Sequence, residues 1–181
     1  MKMKKQALIV LAVLITAFTG CEKLKSLSNF DMPYSLQFTL PKVTEINNEK
    51  ELSTPDMETN YLSNLNLNSM SSDLVDKIEL KSLDLKIDAP TSADFSFLNS
   101  IKIYIVATGV DPILIVSKTN IPDNVGNTLK FDVDNSINLK EYVNKDKIGL
   151  KIVYTTDKKT TENYTITANV VFTVDPNLFG L

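Results

Sequence analysis

The chain has 181 residues, with 19 basic and 22 acidic side chains and a formal net charge of −3. Every basic residue is Lys, and the chain contains no His and no Trp. A net negative chain without Arg is a poor match for nucleic acid, and the lack of His removes the commonest metal ligand and neutral-pH base.

Residues 1–21 read MKMKKQALIVLAVLITAFTGC. Lys2, Lys4 and Lys5 form a basic head, and residues 7–18 form an apolar run broken only by the hydroxyl of Thr16. Small residues close it just before Cys21. A basic head, an apolar core and a small-residue end make a secretory signal peptide. The run is shorter than the roughly 20 residues a membrane span needs. Cys21 is the single cysteine, so no intrachain disulfide can form. Phe18-Thr19-Gly20-Cys21 resembles the lipobox of bacterial lipoproteins, with Phe18 standing where Leu is usual. The resemblance implies that residues 1–20 are removed and that Cys21 becomes the acylated N-terminus, the chain's link to a membrane. The mature chain, 21–181, then carries a net charge of −6. Glu22 stands where an Asp would favour the inner membrane, which implies an outer-membrane location in the cell envelope. Periplasm-facing and surface-facing placements both stay open.

Residues 22–33 read as a polar tether. Residues 34–40 alternate, with Tyr34, Leu36, Phe38 and Leu40 on one face, and predict a strand bracketed by Pro33 and Pro41. Residues 42–70 predict loops and short strands, with Val43 and Ile46 hinting at a strand and Thr54 preceding a helical turn. Ser71, Ser72 and Asp73 cap a short helix running to Ile78. Residues 79–87 form a strand whose apolar parity changes near Ser82, which calls for a bulge. Residues 91–99 suit a helical turn with Phe95 and Leu98 plugging one end of the core. Residues 101–107 are apolar on both faces and mark a central strand. Residues 113–116 supply its hairpin partner after a turn at Gly109, Asp111 and Pro112.

Residues 120–127 form a loop of turn residues, and 129–133 a short strand. Residues 135–143 hold one helical turn with Leu139, Tyr142 and Val143 facing inward. Strands at 148–154 and 164–174 flank a hairpin tip at 155–160. The pattern is all-β: an antiparallel two-sheet sandwich of seven or eight strands with one or two helical turns, in a single domain over 34–181. A β-barrel is the alternative. In general texture this body resembles the small sandwich lipoproteins of Bacteroidota-type envelopes, a likeness that carries no residue or activity with it.

Serine and cysteine hydrolase arrangements are excluded as usually built, because His is absent and Cys21 is committed to acylation. Asp132 and Asp134, two apart at a strand end, are the candidate carboxylate pair for glycan cleavage. Residues 132–136 begin like an EF-hand, but Ile137 stands where the turn needs Gly and Val143 where the bidentate Glu belongs. A calcium site built from Asp123, Asn124, Asp132 and Asp134 remains as the metal reading. Tyr34, Tyr61, Tyr104, Tyr142, Tyr154 and Tyr164 fall mostly in phase with core positions. No cofactor motif is present, and the five glycines never cluster into a phosphate loop. The leading expectation is a lipid-anchored, non-enzymatic binding or assembly module with an envelope protein or glycan as partner. Its candidate loops are 120–127 and 155–160. A carboxylate-dependent glycan enzyme and a barrel-like carrier of an apolar ligand are the alternatives.

Overall fold

A computed structural model of the chain describes residues 28–177. The expected leader, Cys21 and residues 22–27 of the expected tether lie outside the described residues. Among the described residues, nine strands, two short helices and one 3-10 turn follow one another. In chain order they are β1 (Phe30–Leu40), β2 (Lys50–Ser53), β3 (Met57–Glu58), α1 (Tyr61–Leu67), the turn at Ser72–Leu74, β4 (Val75–Ala89), β5 (Leu98–Ala107), β6 (Val110–Thr119), β7 (Thr128–Lys130), α2 (Lys140–Val143), β8 (Lys147–Thr156) and β9 (Tyr164–Pro176). They build two antiparallel sheets, ordered β1-β9-β4-β7 and β2-β8-β5-β6, with β3 also paired to β8. This is the two-sheet sandwich expected, not a closed barrel.

The strand β9 shows why the sheets face each other. Ile166, Ala168, Val170, Phe172 and Val174 are buried on one face, while Thr165, Thr167, Asn169 and Thr173 point out. Period-two alternation sends one set to the core and the other to water. The opposite sheet contributes Ile101, Ile103, Ile105, Leu150 and Ile152. The apolar side chains of both sheets fill the space between them, so the interior is a packed core and not a lined cavity.

Several local expectations are corrected. Residues 30–33, expected in the tether, belong to β1. Pro33 sits inside that strand, opposite Val171, and is tolerated because β1 is an edge strand that needs no outer donor. The helix expected from Ser71 to Ile78 is only the 3-10 turn, and β4 begins at Val75. A register shift between Val75 and Lys77 puts Val75 and Ile78 on the same buried face at a three-residue spacing. That bulge imitates helical periodicity. The bulge expected near Ser82 is present as a register shift between Leu80 and Ser82.

Residues 91–97 form turns and no helix, with Leu98 already in β5, although Phe95 and Leu98 are both buried. Val43 is buried without a strand around it: its N–H donates to Thr160 Oγ1 at 2.8 Å. Thr54 starts no helix; it links β2 to β3 and exchanges bonds with Leu150 across the ladder. The segment 155–160 is not a hairpin tip, because β8 and β9 lie in different sheets and the loop crosses between them. The helix α2 is confined to four residues, and β7 ends at Lys130, leaving Asp132 in a loop.

α1 is the element the sequence hid. It covers one end of the sandwich with Tyr61 and Leu65 turned inward. Its start is pinned by Thr59. The Thr59 hydroxyl donates to Lys145 O at 2.5 Å, its N–H donates to Asp146 O at 2.9 Å, and its carbonyl accepts from the Tyr34 hydroxyl at 2.6 Å. A Thr59→Val substitution keeps the shape and removes the hydroxyl of a side chain 1% exposed. It should destabilise the fold by about 1–3 kcal/mol. Hydrogen exchange should quicken in α1 while β5 and β9 keep their protection. Unchanged exchange in α1 would refute this pinning.

Candidate functional site

The strand registers define two ends. Phe30 opposes Val174, Val75 opposes Pro176, and Met57 and Ala107 both oppose Ile148, so these residues share one end. The Tyr142 hydroxyl joins α2 to Asp111 O at 2.5 Å, and Leu139 N–H donates to Ile78 O at 2.7 Å. This near end therefore carries the start of β1, α1, α2 and the Thr108–Gly109 turn between β5 and β6. The far end carries residues 41–49, 90–97, 120–127 and 157–163.

The two candidate loops meet at the far end. Lys158 Nζ of one lies 2.6 Å from Asp123 Oδ1 of the other. The loops are held from below by backbone bonds: Asp157 N–H to Phe97 O at 3.1 Å, Phe95 N–H to Gly126 O at 2.9 Å, and Ile121 N–H to Asn99 O at 3.2 Å. Tyr164 packs edge-on against Phe97 at 5.2 Å, beneath the loops. Gly126 has φ of +75°, a conformation that L side chains rarely adopt. The exposed side chains here include Asp123, Asp157, Lys158, Lys159 and Glu162, with Asp94 half-buried beside them. The result is a rigid base carrying mixed charges toward solvent. The Asp123 carboxylate raises the Lys158 ammonium, mainly through their hydrogen bond. Hydrogen bonds from Ser96 hold Asp94 below the ordinary carboxylate range.

Asp132 and Asp134 lie elsewhere. They line a shallow cleft of about 250 Å³ between the loop after β7 and residues 114–117 of β6. The Asp134 carboxylate accepts from the Ser136 N–H at 2.8 Å, and Ser136 lowers its pKa. A general acid needs the opposite shift. Asp123 is engaged with Lys158 and does not line that cleft. Among the described residues, no three His, Cys, Asp or Glu side chains gather to hold a metal ion.

One raised carboxyl was not foreseen. Burial, and then the neighbouring Glu79, push Asp175 up from its ordinary value of 3.8. The cross-strand register explains the meeting, since Lys77 opposes Asp175 and Glu79 opposes Thr173. Lys77 pairs with Glu79 and donates to Asn135 O at 2.5 Å. Only strand register could have revealed this group, because Glu79 and Asp175 are far apart in sequence. The outer face of the same sheet carries further polar ladders. Asn169 donates to Asp84 at 3.0 Å, Thr167 to Asp88 at 2.5 Å, and Thr173 to Asp31 at 2.9 Å.

Five of the six tyrosines lie in the core or pack against it. Tyr61, Tyr142 and Tyr154 are buried, and desolvation of half-buried Tyr34 pushes it up to about 12. Tyr104 stands on the outer side of β5 under the Lys151 ammonium, 5.0 Å from the ring centre.

These shifts set the acid response. Asp31, Asp88, Asp94 and Asp134 have lowered values, so their stabilisation is complete above 3.8 and is lost as pH falls below it. Asp175 has the opposite sign and is relieved by protonation. Four against one means that the melting temperature should hold from pH 7 to about 4.5 and then fall. Asp175→Asn should raise the plateau and leave the acid limb in place. A melting temperature that rises below pH 4 would contradict this.

No protein-family model matches the chain, and no curated protein matches it. Among solved structures it is similar to a chain of the infectious bursal disease virus Gx strain, with 11% identity and a TM-score of 0.40, over 82% of this chain and 32% of that one. It thus spans about a third of the length of that viral chain. It is also similar to FLHE, at 7% identity and a TM-score of 0.33, over 82% of this chain and 98% of that one. The BFDV capsid protein, solved as a decamer, gives 8% identity and a TM-score of 0.35, over 81% of this chain and 98% of that one. At those scores the likenesses assign neither a family nor an activity to this β-sandwich.

Proposed function

We propose that the chain is a lipid-anchored envelope lipoprotein whose sandwich is a non-enzymatic binding or assembly module, presenting its far-end loops to a protein or glycan partner. The observation that carries this reading is the leader: a basic head, an apolar core and Phe18-Thr19-Gly20-Cys21, with the chain's sole cysteine in the acylated position. The far end adds support. Its loops 120–127 and 155–160 are rigidly based, joined by the Asp123–Lys158 pair, and opposite the end where β1 begins. A tethered module meets its partner most readily on the side turned away from its anchor. The carboxylate enzyme lacks a comparable basis, because Asp134, held low by Ser136, does not fit the general acid, and the cleft is small for a substrate.

The test is affinity capture of the lipidated protein from its own solubilised outer membrane, with mass spectrometry of what it retains. An Asp123→Ala/Lys158→Ala/Lys159→Ala triple variant runs beside it. A stoichiometric partner, or a glycan bound on an array, that the triple variant loses supports the reading. Empty captures and an empty array for both forms would overturn it, and so would glycan turnover abolished by alanine at Asp132 and Asp134.

A further inference from the structure

The near end exposes large apolar side chains that none of the other described residues covers. Leu67 is 82% exposed, Leu62 65% and Leu74 39%. These are three of the five large apolar side chains exposed among the described residues, and they fall within thirteen positions of one another. Leu62 and Leu67 lie on α1, whose inward face is already taken by Tyr61 and Leu65. The helix therefore shows leucines on both sides. The surrounding sequence is equally unusual. From Thr59 to Ser72 the chain reads TNYLSNLNLNSMSS, fourteen residues without a charge, in a protein that is 23% charged. Polar Asn and Ser alternate with Leu, so no charge in this stretch opposes contact with an apolar surface.

The position of this surface decides what covers it. Ser28 and β1 begin at the same end as α1, and Tyr34 of β1 bonds to Thr59 beside it. Cys21 precedes Ser28 by seven residues, which at about 3.5 Å per residue reach no more than about 25 Å. An acylated Cys21 therefore keeps this end next to the bilayer. The geometry points to α1 and the turn at Ser72–Leu74 as a lipid-contacting foot, with Leu62, Leu67 and Leu74 lying in the membrane interface beneath the sandwich. This rests on the anchor proposed above. The occupant is a lipid surface met through apolar contact. The ring of charges bordering the uncharged stretch is mixed (Glu58, Asp73, Lys145, Asp146, Lys147), so no anionic headgroup is required.

The absence of Trp makes the test direct. A Leu67→Trp variant carries a single tryptophan at an exposed position that tolerates it, and Lys159→Trp carries one at the far end. Both full-length lipidated proteins are reconstituted into phosphatidylcholine vesicles, with and without brominated acyl chains, and floated on a density gradient. The foot requires Leu67→Trp emission to shift to the blue and to lose on the order of half its intensity in brominated vesicles. Lys159→Trp should be unchanged. Flotation with both tryptophans equally unquenched overturns the foot and leaves the anchor standing. A blue-shifted but unquenched Leu67→Trp assigns the surface to a protein, a second copy included, and overturns the lipid assignment. Failure of the wild-type chain to float overturns anchor and foot together.

Discussion

Cys21→Ala should empty the membrane fraction of this protein. The effect is close to all-or-none, because the acyl chains are the attachment on which the account depends. Each buried methylene contributes about 0.8 kcal/mol, so one chain holds a protein marginally and two hold it stably. Lipoproteins of the kind this leader resembles carry three. Without the thiol none can be attached, and the protein either appears in the soluble fraction or persists with its leader uncleaved. Fatty-acid labelling and fractionation read both outcomes. The apolar foot does not rescue it, since three partly exposed leucines bury far less surface than an acyl chain. A Cys21→Ala chain that still pellets with membranes and runs at the mature size would contradict the anchor.

Phe172→Ala should cause a large loss of stability. Phe172 is completely buried on β9, the strand that pairs with both β1 and β4. Tyr34 packs edge-on against its ring at a centroid distance of 5.7 Å. Truncation removes the transfer energy of the ring and leaves a cavity that β9, held on both sides, cannot collapse into. The expected loss is about 3–5 kcal/mol. Against a total of about 5–15 kcal/mol for a domain of this kind, that is a large share. The melting temperature should fall by roughly 8 °C or more. The pinning at Thr59 weakens too, because the Tyr34 hydroxyl that bonds it is positioned by this ring contact. A fall of under about 2 °C would mean that the sheets do not pack through Phe172.

What was legible in the sequence follows from where alternation runs unbroken. The five buried positions of β9 and the Ile101, Ile103 and Ile105 series of β5 are visible without a structure, because a half-buried strand imposes period two. The start of β4 was misread for a physical reason: a bulge between Val75 and Lys77 sets apolar residues three apart, which is also how a helix spaces them. α1 was missed because seven residues with two inward side chains make too weak a period. Its start also lacks a side-chain cap, with Asn60 at φ 48° in the left-handed region. The crossing of 155–160 between sheets was invisible, because alternation reports which residues face inward and not which strand lies alongside.

For the candidate site, loops 120–127 and 155–160 could be picked out separately by their turn residues and charge. Their meeting through Asp123 and Lys158 is a product of topology, as is the Glu79–Asp175 neighbourhood. The exposed leucines of α1 were readable as letters, but an exposed leucine differs from a core leucine only once the fold is known.

The lipid anchor is read most directly from the intact mass of the protein recovered from envelope membranes, with a fragment spectrum of its first peptide. An anchored lipoprotein gives a chain that begins at Cys21, lacks residues 1–20, and carries acyl groups on that cysteine. A chain that begins elsewhere, or one with a free Cys21 thiol in the soluble fraction, would contradict it.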